Sequence, residues 1–310
     1  MKSTSESLRK EAKAFHLKKR LGQHFLISTD ALESVVNALS PTSDDTIIEV
    51  GPGIGFLTRF LSDTGARIIA VDLDRESIES LREMNLPGVD LWHGDFLDFD
   101  LGTLDFASKP SRAAEESPPI PERLKIVGNV PYQITGLILG HILGEINAPA
   151  PWLQKIDNIV LTVQREVAQR MVAKPGTDDF SKVSLLIDYF CEAHLEMVIP
   201  PEDFYPPPKV TSAIVKMVPR PAPPIDVGNT NLLKQIIDAG FRQRRKMLRN
   251  SLSFVGLPQG EIDQIFRKLS FDPQVRAERL GLPQFAILTD AIEASLKAHA
   301  NNPSTSTSQS

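Results

Sequence analysis

From about Thr46 to Val218, short apolar runs alternate with amphipathic stretches. Thr46-Ile-Ile-Glu-Val50 and Arg67-Ile-Ile-Ala-Val71 read as buried strands with a helix between them. Arg75 to Met84 has a helical period, and the strand after it ends near His93. Lys125 to Val127 reads as a short buried strand, followed by a helix over Ile134 to Leu143. Asn158 to Val163 is a further strand, leading into a helix over Gln164 to Ala173. Glu192 to Ile199 and Ser212 to Val218 are suited to pair as the last two strands. This alternation predicts an α/β fold with a mostly parallel sheet and helices on both faces.

Two stretches interrupt the pattern. Gly102 to Arg123 is rich in Pro, Ser, Ala and Glu without periodicity, and reads as a long exposed loop. Pro219-Arg-Pro-Ala-Pro-Pro224 reads as a stiff linker. Beyond it, Asn231 to Ala298 is helical in pattern and has no strand signal. The expected organisation is a catalytic domain over residues 1–219, a small all-helical domain over 220–298, and a Ser/Thr-rich disordered tail over 299–310. No internal repeat is visible.

At 310 residues, the chain has room for one large and one smaller domain. No run approaches the roughly 20 apolar residues that span a bilayer. The first twenty residues have no apolar core of a secretory signal, and Glu6 and Glu11 among the lysines argue against a transit peptide. Cys191, the sole cysteine, lies in an apolar run and is expected to be buried. It excludes an intramolecular disulfide and a cysteine-based zinc site, and fits a cytoplasmic protein. His16, His93, His141 and His194 lack metal-ligand spacing, so no metal is expected.

The net charge of −5 taken whole argues against a nucleic-acid partner. Charge placement changes that picture. Lys18-Lys19-Arg20 is basic, as is Arg242-Gln243-Arg244-Arg245-Lys246 followed by Arg249. If the helix continues through this stretch, Arg242, Arg245, Lys246 and Arg249 stand at i, i+3, i+4 and i+7 on one face. Ile237, Phe241, Leu248 and Leu252 then form an apolar face beside it. Such a stripe suits phosphate contacts, which position RNA without reading its sequence; a solvated helix face is the bland alternative. Lys209 and Lys18 to Arg20 are lesser candidates.

Glu49-Val-Gly-Pro-Gly-Ile-Gly55 follows the first strand. Its Gly-x-Gly-x-Gly spacing, with Gly51 and Gly53, brings the last glycine one residue sooner than the dinucleotide fingerprint does. The shorter spacing is the usual sign of a site for S-adenosyl-L-methionine, which has no phosphate. Asp72 ends the second strand, 21 residues after Gly51, where a carboxylate can accept from ribose hydroxyls. Asp95 follows the third strand, where a carboxylate can accept from an adenine amino group. After the fourth strand comes Asn129-Val130-Pro131-Tyr132. An exocyclic amine conjugates with its ring and is a poor nucleophile. Acceptors aimed at its N–H groups, the Asn129 side chain or a backbone carbonyl near Pro131, hold it toward the methyl group. Tyr132 offers a ring on which an extruded base can stack. The transfer needs positioning more than a strong base.

These residues resemble the ribosomal RNA small-subunit adenine N6-dimethyltransferase family, from Lys18 to about Ile292. The signature Leu21-Gly-Gln-His-Phe-Leu26, the segments Glu49 to Gly55, Val71 to Asp74, Gly94-Asp95 and Asn129 to Tyr132, the run Gln164 to Arg170, and Phe204-Tyr-Pro-Pro-Pro-Lys-Val210 all match its motifs. The resemblance implies a Rossmann-like class I methyltransferase domain followed by a helical RNA-binding domain. It implies that His24 and Leu26 contact the methionine end of S-adenosyl-L-methionine, Gly51 lines the loop, and Asp72 and Asp95 hold ribose and adenine. Asn129 would sit where cofactor and target amine meet, with Tyr132 and Phe204 sandwiching a flipped adenine. The implied substrate is a pair of adjacent adenines in a hairpin near the 3′ end of 16S-type ribosomal RNA, within an immature small subunit, acted on by a monomer. Three rivals remain at this level: a large-subunit resistance-type methyltransferase, a relative that serves as a mitochondrial transcription factor, and an NAD-dependent oxidoreductase.

Overall fold

A computed structural model describes residues 4–15, 23–103, 124–131, 133–243 and 245–301. Tyr132, His16, Lys18 to Gly22, Arg244, the loop over 104–123 and the tail beyond 301 lie outside the described residues.

Seven strands form one mixed sheet: β1 (Thr46–Val50), β2 (Arg67–Asp72), β3 (Val89–His93), β4 (Leu124–Asn129), β5 (Ile156–Gln164), β6 (Cys191–Ile199) and β7 (Ser212–Pro219). Their spatial order is β3-β2-β1-β4-β5-β7-β6. The first five pair in parallel, and β7 inserts antiparallel between β5 and β6. The central strands are mainly apolar, as strands covered on both faces tend to be: Ile47, Ile48, Ile68, Ala70, Ile126 and Val127 are all buried, with Glu49 and Lys125 as buried charged exceptions. The two last strands pair as the sequence predicts, with Ser212 opposite Ile199 and Pro219 opposite Cys191. Cys191 is buried, and burial pushes its thiol up to about 12.

The helices α1 (Ser5–Ala14) and α2 (Thr29–Leu39) precede the sheet, and neither is among the elements expected from the pattern. α1 buries only Leu8 and Ala12, too few positions to display a period. It is fixed instead by a capping box between Thr4 and Ser7. α2 has a clear stripe of Leu32, Val35 and Leu39 and a Ser28 cap. It packs on β5, β6 and β7. Asn158 on β5 donates to the carbonyls of Ala38 and Leu39 at 3.0 and 3.1 Å, tying the helix end to the sheet. Between strands run α3 (Phe56–Ser62), α4 (Arg75–Met84), α5 (Thr135–Leu143), α6 (Arg165–Val172) and α7 (Lys182–Phe190).

The chain divides into two compact units. The first extends to Gly144 and adds Ala150–Gln169 and Cys191–Pro221; the second takes Glu145–Pro149, Arg170–Phe190 and Ala222 onward. The second unit therefore draws on two segments upstream of the proline linker. Physical ties hold them there: Phe180 meets Phe241 edge-on at 6.1 Å, and Lys182 pairs with Asp238. Its downstream helices are α8 (Thr230–Arg242), α9 (Leu248–Ser251), α10 (Gln259–Lys268) and α11 (Leu282–Asn301). Leu233, Ile236 and Ile237 of α8, Phe266 of α10 and Phe285, Leu288 and Ile292 of α11 supply its core. Among the described residues no helix is long and apolar enough to cross a membrane.

Candidate active site

The parallel strands come level at their carboxyl ends. Val50 of β1 stands opposite Val71 of β2 and Gly128 of β4, and Asp72 stands opposite His93 of β3. The next residue of each strand therefore leaves the sheet on one edge. In open α/β sheets, ligands bind in the crevice outside this edge, where strand order reverses; here that point lies between β1 and β4.

A cleft of about 290 Å³ lies there. Gln23, His24, Gly51, Gly53, Asp72, Asp95, Asn129 and Pro131 line it, so seven of the predicted site residues (all of these except Gln23) converge on one cavity. Apolar wall comes from Val50, Leu73, Phe96, Val130, Ile134 and Ile138. Leu73 is 56% exposed, unusual for a leucine beside a buried strand. These apolar positions carry no signal in the sequence, because each is an ordinary core residue type.

The glycine loop owes its shape to three left-handed residues, Gly51, Gly53 and Gly55. Gly51 has φ +67° and nothing within 4 Å of where a Cβ would stand, so its backbone faces open cleft. Gly53 has φ +57°, and a Cβ there would come within 2.8 Å of the Phe25 ring. A side chain at either position is strained, and at Gly53 it collides. Asp72 fixes the loop: its Oδ2 accepts from the Gly53 amide at 3.0 Å and its Oδ1 from the Asp74 amide at 2.7 Å. Burial raises the Asp72 carboxyl above its usual range, and these amide bonds offset that only in part. Asp95 caps a short turn, with Oδ1 accepting from the Leu97 amide at 3.0 Å.

Asn129 ends β4. Its Nδ2 donates to the His24 carbonyl at 2.8 Å. A carbonyl can only accept, so the amide orientation is fixed, and Oδ1 is left as an acceptor at the cleft. His24 is held in turn by Nδ1 donating to the Pro206 carbonyl at 2.7 Å. The Pro131 carbonyl already accepts from the Ile134 amide at 3.1 Å.

Glu49 sits directly behind the loop and is almost fully buried. Its Oε2 has no hydrogen-bond partner, and neither has the buried Thr58 hydroxyl. Burial pushes its pKa from 4.5 to about 8, and the nearby Asp72 charge adds to the rise.

Three expectations need correction. Leu26 is not among the residues lining the cleft; it is 5% exposed and borders an adjoining cavity of about 40 Å³ that has Phe25, Gly51 and Asn129 in common with it. Phe204 offers no ring face to a base: it is fully buried, in a two-residue antiparallel bridge of Phe25–Leu26 with Phe204–Tyr205. The packing of this bridge into the core of α1, α2 and β1 claims both side chains. The basic helix stripe does not form, because α8 stops at Arg242. Gln243 leaves helical dihedrals at φ −135°, ψ 76°, and Met247 is extended before α9 begins. Arg249 is thereby taken out of the surface set: its Nη1 pairs with Asp263 at 3.1 Å, and its Nε is buried. Arg242, Arg245, Lys246 and Lys209 are exposed. Among the described residues no cluster of His, Cys, Asp or Glu is arranged to hold a metal ion.

The family model described as "Ribosomal RNA adenine dimethylase" matches residues 14–287. "Ribosomal RNA small subunit methyltransferase A" of Lachnoclostridium phytofermentans is 35% identical over 289 residues, covering 91% of this chain and 94% of that protein. The protein of the same name from Acaryochloris marina is 37% identical over 278 residues, covering 90% and 98%. Among solved structures, a dimethyladenosine transferase from Plasmodium falciparum shares the fold with a TM-score of 0.67 at 19% identity, covering 89% of this chain and 97% of that one. The 23S rRNA methyltransferase ErmE does so at 0.61 and 21%, covering 87% and 99%. At such identities these two likenesses bear on the fold alone.

Proposed function

Since this chain belongs to the ribosomal RNA adenine dimethylase family, we propose that it dimethylates N6 of two adjacent adenines in a hairpin near the 3′ end of small-subunit ribosomal RNA. S-adenosyl-L-methionine is the methyl donor; when bound, it supplies a sulfonium methyl group for in-line displacement. The cleft fits it on its own chemistry. Gly51 leaves backbone uncovered at the loop. Asp72 and Asp95 present acceptors on adjacent strand ends for ribose hydroxyls and the adenine amino group. Leu73, Phe96 and Ile138 offer flat apolar wall.

One observation carries the reading: Asn129, oriented by His24, leaves a single side-chain acceptor in the same cleft as the glycine loop and both carboxylates. That acceptor holds the target amine by an N–H group and turns its lone pair out of conjugation with the ring. The nucleophile thus gains reactivity from placement and not from a strong base. Tyr132 adjoins Pro131 in sequence and is assigned the stacking role for the flipped base. The first unit acts as the methyltransferase domain and the second, which takes in Glu145–Pro149 and Arg170–Phe190 as well as Ala222 onward, as the helical RNA-gripping domain. Arg242, Arg245 and Lys246 of the second unit and Lys209 of the first meet phosphate. The substrate is the immature small subunit, the protein acts as a monomer, and the site of action is cytoplasmic.

The test is Asn129→Ala with two readouts. Cofactor binding remains measurable by calorimetry, while methyl transfer to small-subunit RNA falls by about 10²–10³-fold, the usual loss for one positioned polar group. Wild-type turnover in this variant would remove Asn129 from its role.

A further inference from the structure

The second unit contains a cleft of its own, about 390 Å³, which shares no lining residue with the glycine-loop cleft. One wall is a true helix face: Gln235, Asp238, Ala239 and Arg242 of α8 stand at i, i+3, i+4 and i+7. Lys246, Asn250, Ser253 and Phe254 form the other wall. Phe254 is 45% exposed, whereas Phe180, Phe266 and Phe285 of the same unit are buried.

The charges in this cleft are unequal. Asp238 is neutralised twice, by Lys182 and by Lys234 at 2.8 Å, and these cations hold its carboxyl below the usual range. Arg242 and Lys246 are exposed and make no ion pair among the described residues. The cleft therefore combines two cations free for a phosphate, an aromatic face, and amide and hydroxyl groups that bond base edges. The last four carbonyls of a helix have no partner within it, and Ala239 and Arg242 are two of those four. They add acceptors for an exocyclic amine. A solvated helix face needs neither an exposed ring nor a concavity. A cation stripe that meets only phosphate needs neither as well.

We infer that this cleft is a nucleotide subsite: it takes one unstacked base of a looped or single-stranded RNA segment against Phe254, with the adjoining phosphate on Arg242 and Lys246. The inference rests on the proposed RNA substrate, and adds a second point at which the RNA strand is opened. Stacking on an aromatic ring is tolerant of base identity, so this subsite contributes grip and placement, while the choice of adenine stays with the catalytic cleft.

The experiment measures Kd for two labelled RNAs at one ionic strength, a hairpin with an unpaired loop and a fully paired duplex of equal length. Phe254→Ala is expected to weaken hairpin binding by roughly 5- to 150-fold, the range that loss of one stacked base gives, and to leave duplex binding unchanged. Phe254→Trp restores hairpin binding. Replacing Arg242 and Lys246 with Gln weakens both RNAs and lowers the salt slope. Unchanged hairpin affinity in Phe254→Ala, or an equal loss on both RNAs, overturns the subsite. Methyl transfer by the same preparations separates the two readings. A wild type that methylates RNA while Phe254→Ala binds the hairpin normally overturns the subsite and leaves the activity standing. A wild type that methylates no RNA, with hairpin binding still dependent on Phe254, overturns the activity and leaves the subsite standing.

Discussion

Asn129 carries a donor and an acceptor, and only the donor is used within the fold. Nδ2 donates to the His24 carbonyl at 2.8 Å, and the proposed reaction gives Oδ1 to the target amine. Glu49, buried at the start of the glycine loop, borders a small cavity with Gly51 and Asn129. Its carboxyl is pushed from 4.5 to about 8 by burial. Between these values the unfolded chain releases the proton and the folded chain keeps it. The stability contributed by this group is complete below pH 4.5 and is lost as the pH rises to about 8. Glu49→Gln removes that loss, so the melting temperature of the variant relative to wild type should rise between pH 5 and pH 9. An offset that stays constant over that range would mean that Glu49 does not titrate in it. Gly51, Asp72, Asp95 and Asn129 are legible in the sequence, because each stands at or just beyond a strand end where the chemistry calls for its residue type, whereas His24 is reached only through the family resemblance. Leu26 and Phe204 are not, since whether an apolar side chain faces a ligand or the core depends on the Phe25–Leu26 bridge to Phe204–Tyr205, a pairing across 178 residues.

At the scale of elements, β4 joins two sites of opposite character. Its carboxyl end holds Asn129, while near its amino end Lys125 is buried with Asp45 at 3.0 Å and donates to the Ser40 carbonyl at 2.6 Å. Removing one partner of a buried pair strands the other charge. Lys125→Met should lower unfolding free energy by about 3–5 kcal/mol in denaturant titrations, with cofactor Kd unchanged because the cleft lies at the other end of the strand. A large rise in Kd would show that the two ends are coupled. The strands of the sheet are readable from the apolar runs alone, to within two residues at most ends. α1 is not, for want of a period, and α8 ends earlier than its pattern implies. The run from Arg242 to Arg249 has helical spacing, but Leu248 donates its amide to the Val275 carbonyl at 2.8 Å, a tertiary bond that local pattern does not reveal. The consequence is a division among the cations. Arg249→Ala should act on stability through Asp263 and the buried Nε. Replacing Arg242, Arg245 and Lys246 with Gln should leave stability nearly unchanged and lower the salt slope of RNA binding by about two to three. The reverse pattern, with stability lost in the triple variant, would place those three side chains in the fold and not at RNA.

For the whole molecule, a net charge of −5 means that bulk attraction to RNA is absent, and binding depends on where exposed cations stand. The first unit supplies the cofactor cleft and the proposed amine acceptor; the second supplies the exposed cations Arg242, Arg245 and Lys246. An enzyme built this way should discriminate among RNAs by shape as well as by the target base, and should favour a partly assembled subunit over naked RNA. Fold likeness alone does not identify the substrate, since a dimethyladenosine transferase and the 23S rRNA methyltransferase ErmE both share this architecture. The most direct measurement is methyl transfer from labelled S-adenosylmethionine to immature small ribosomal subunits, with large subunits in parallel, followed by nucleoside analysis. The account predicts N6,N6-dimethyladenosine from small subunits only, at two positions in one hairpin. Product from large subunits, or no product from small subunits that the protein nonetheless binds, would contradict it.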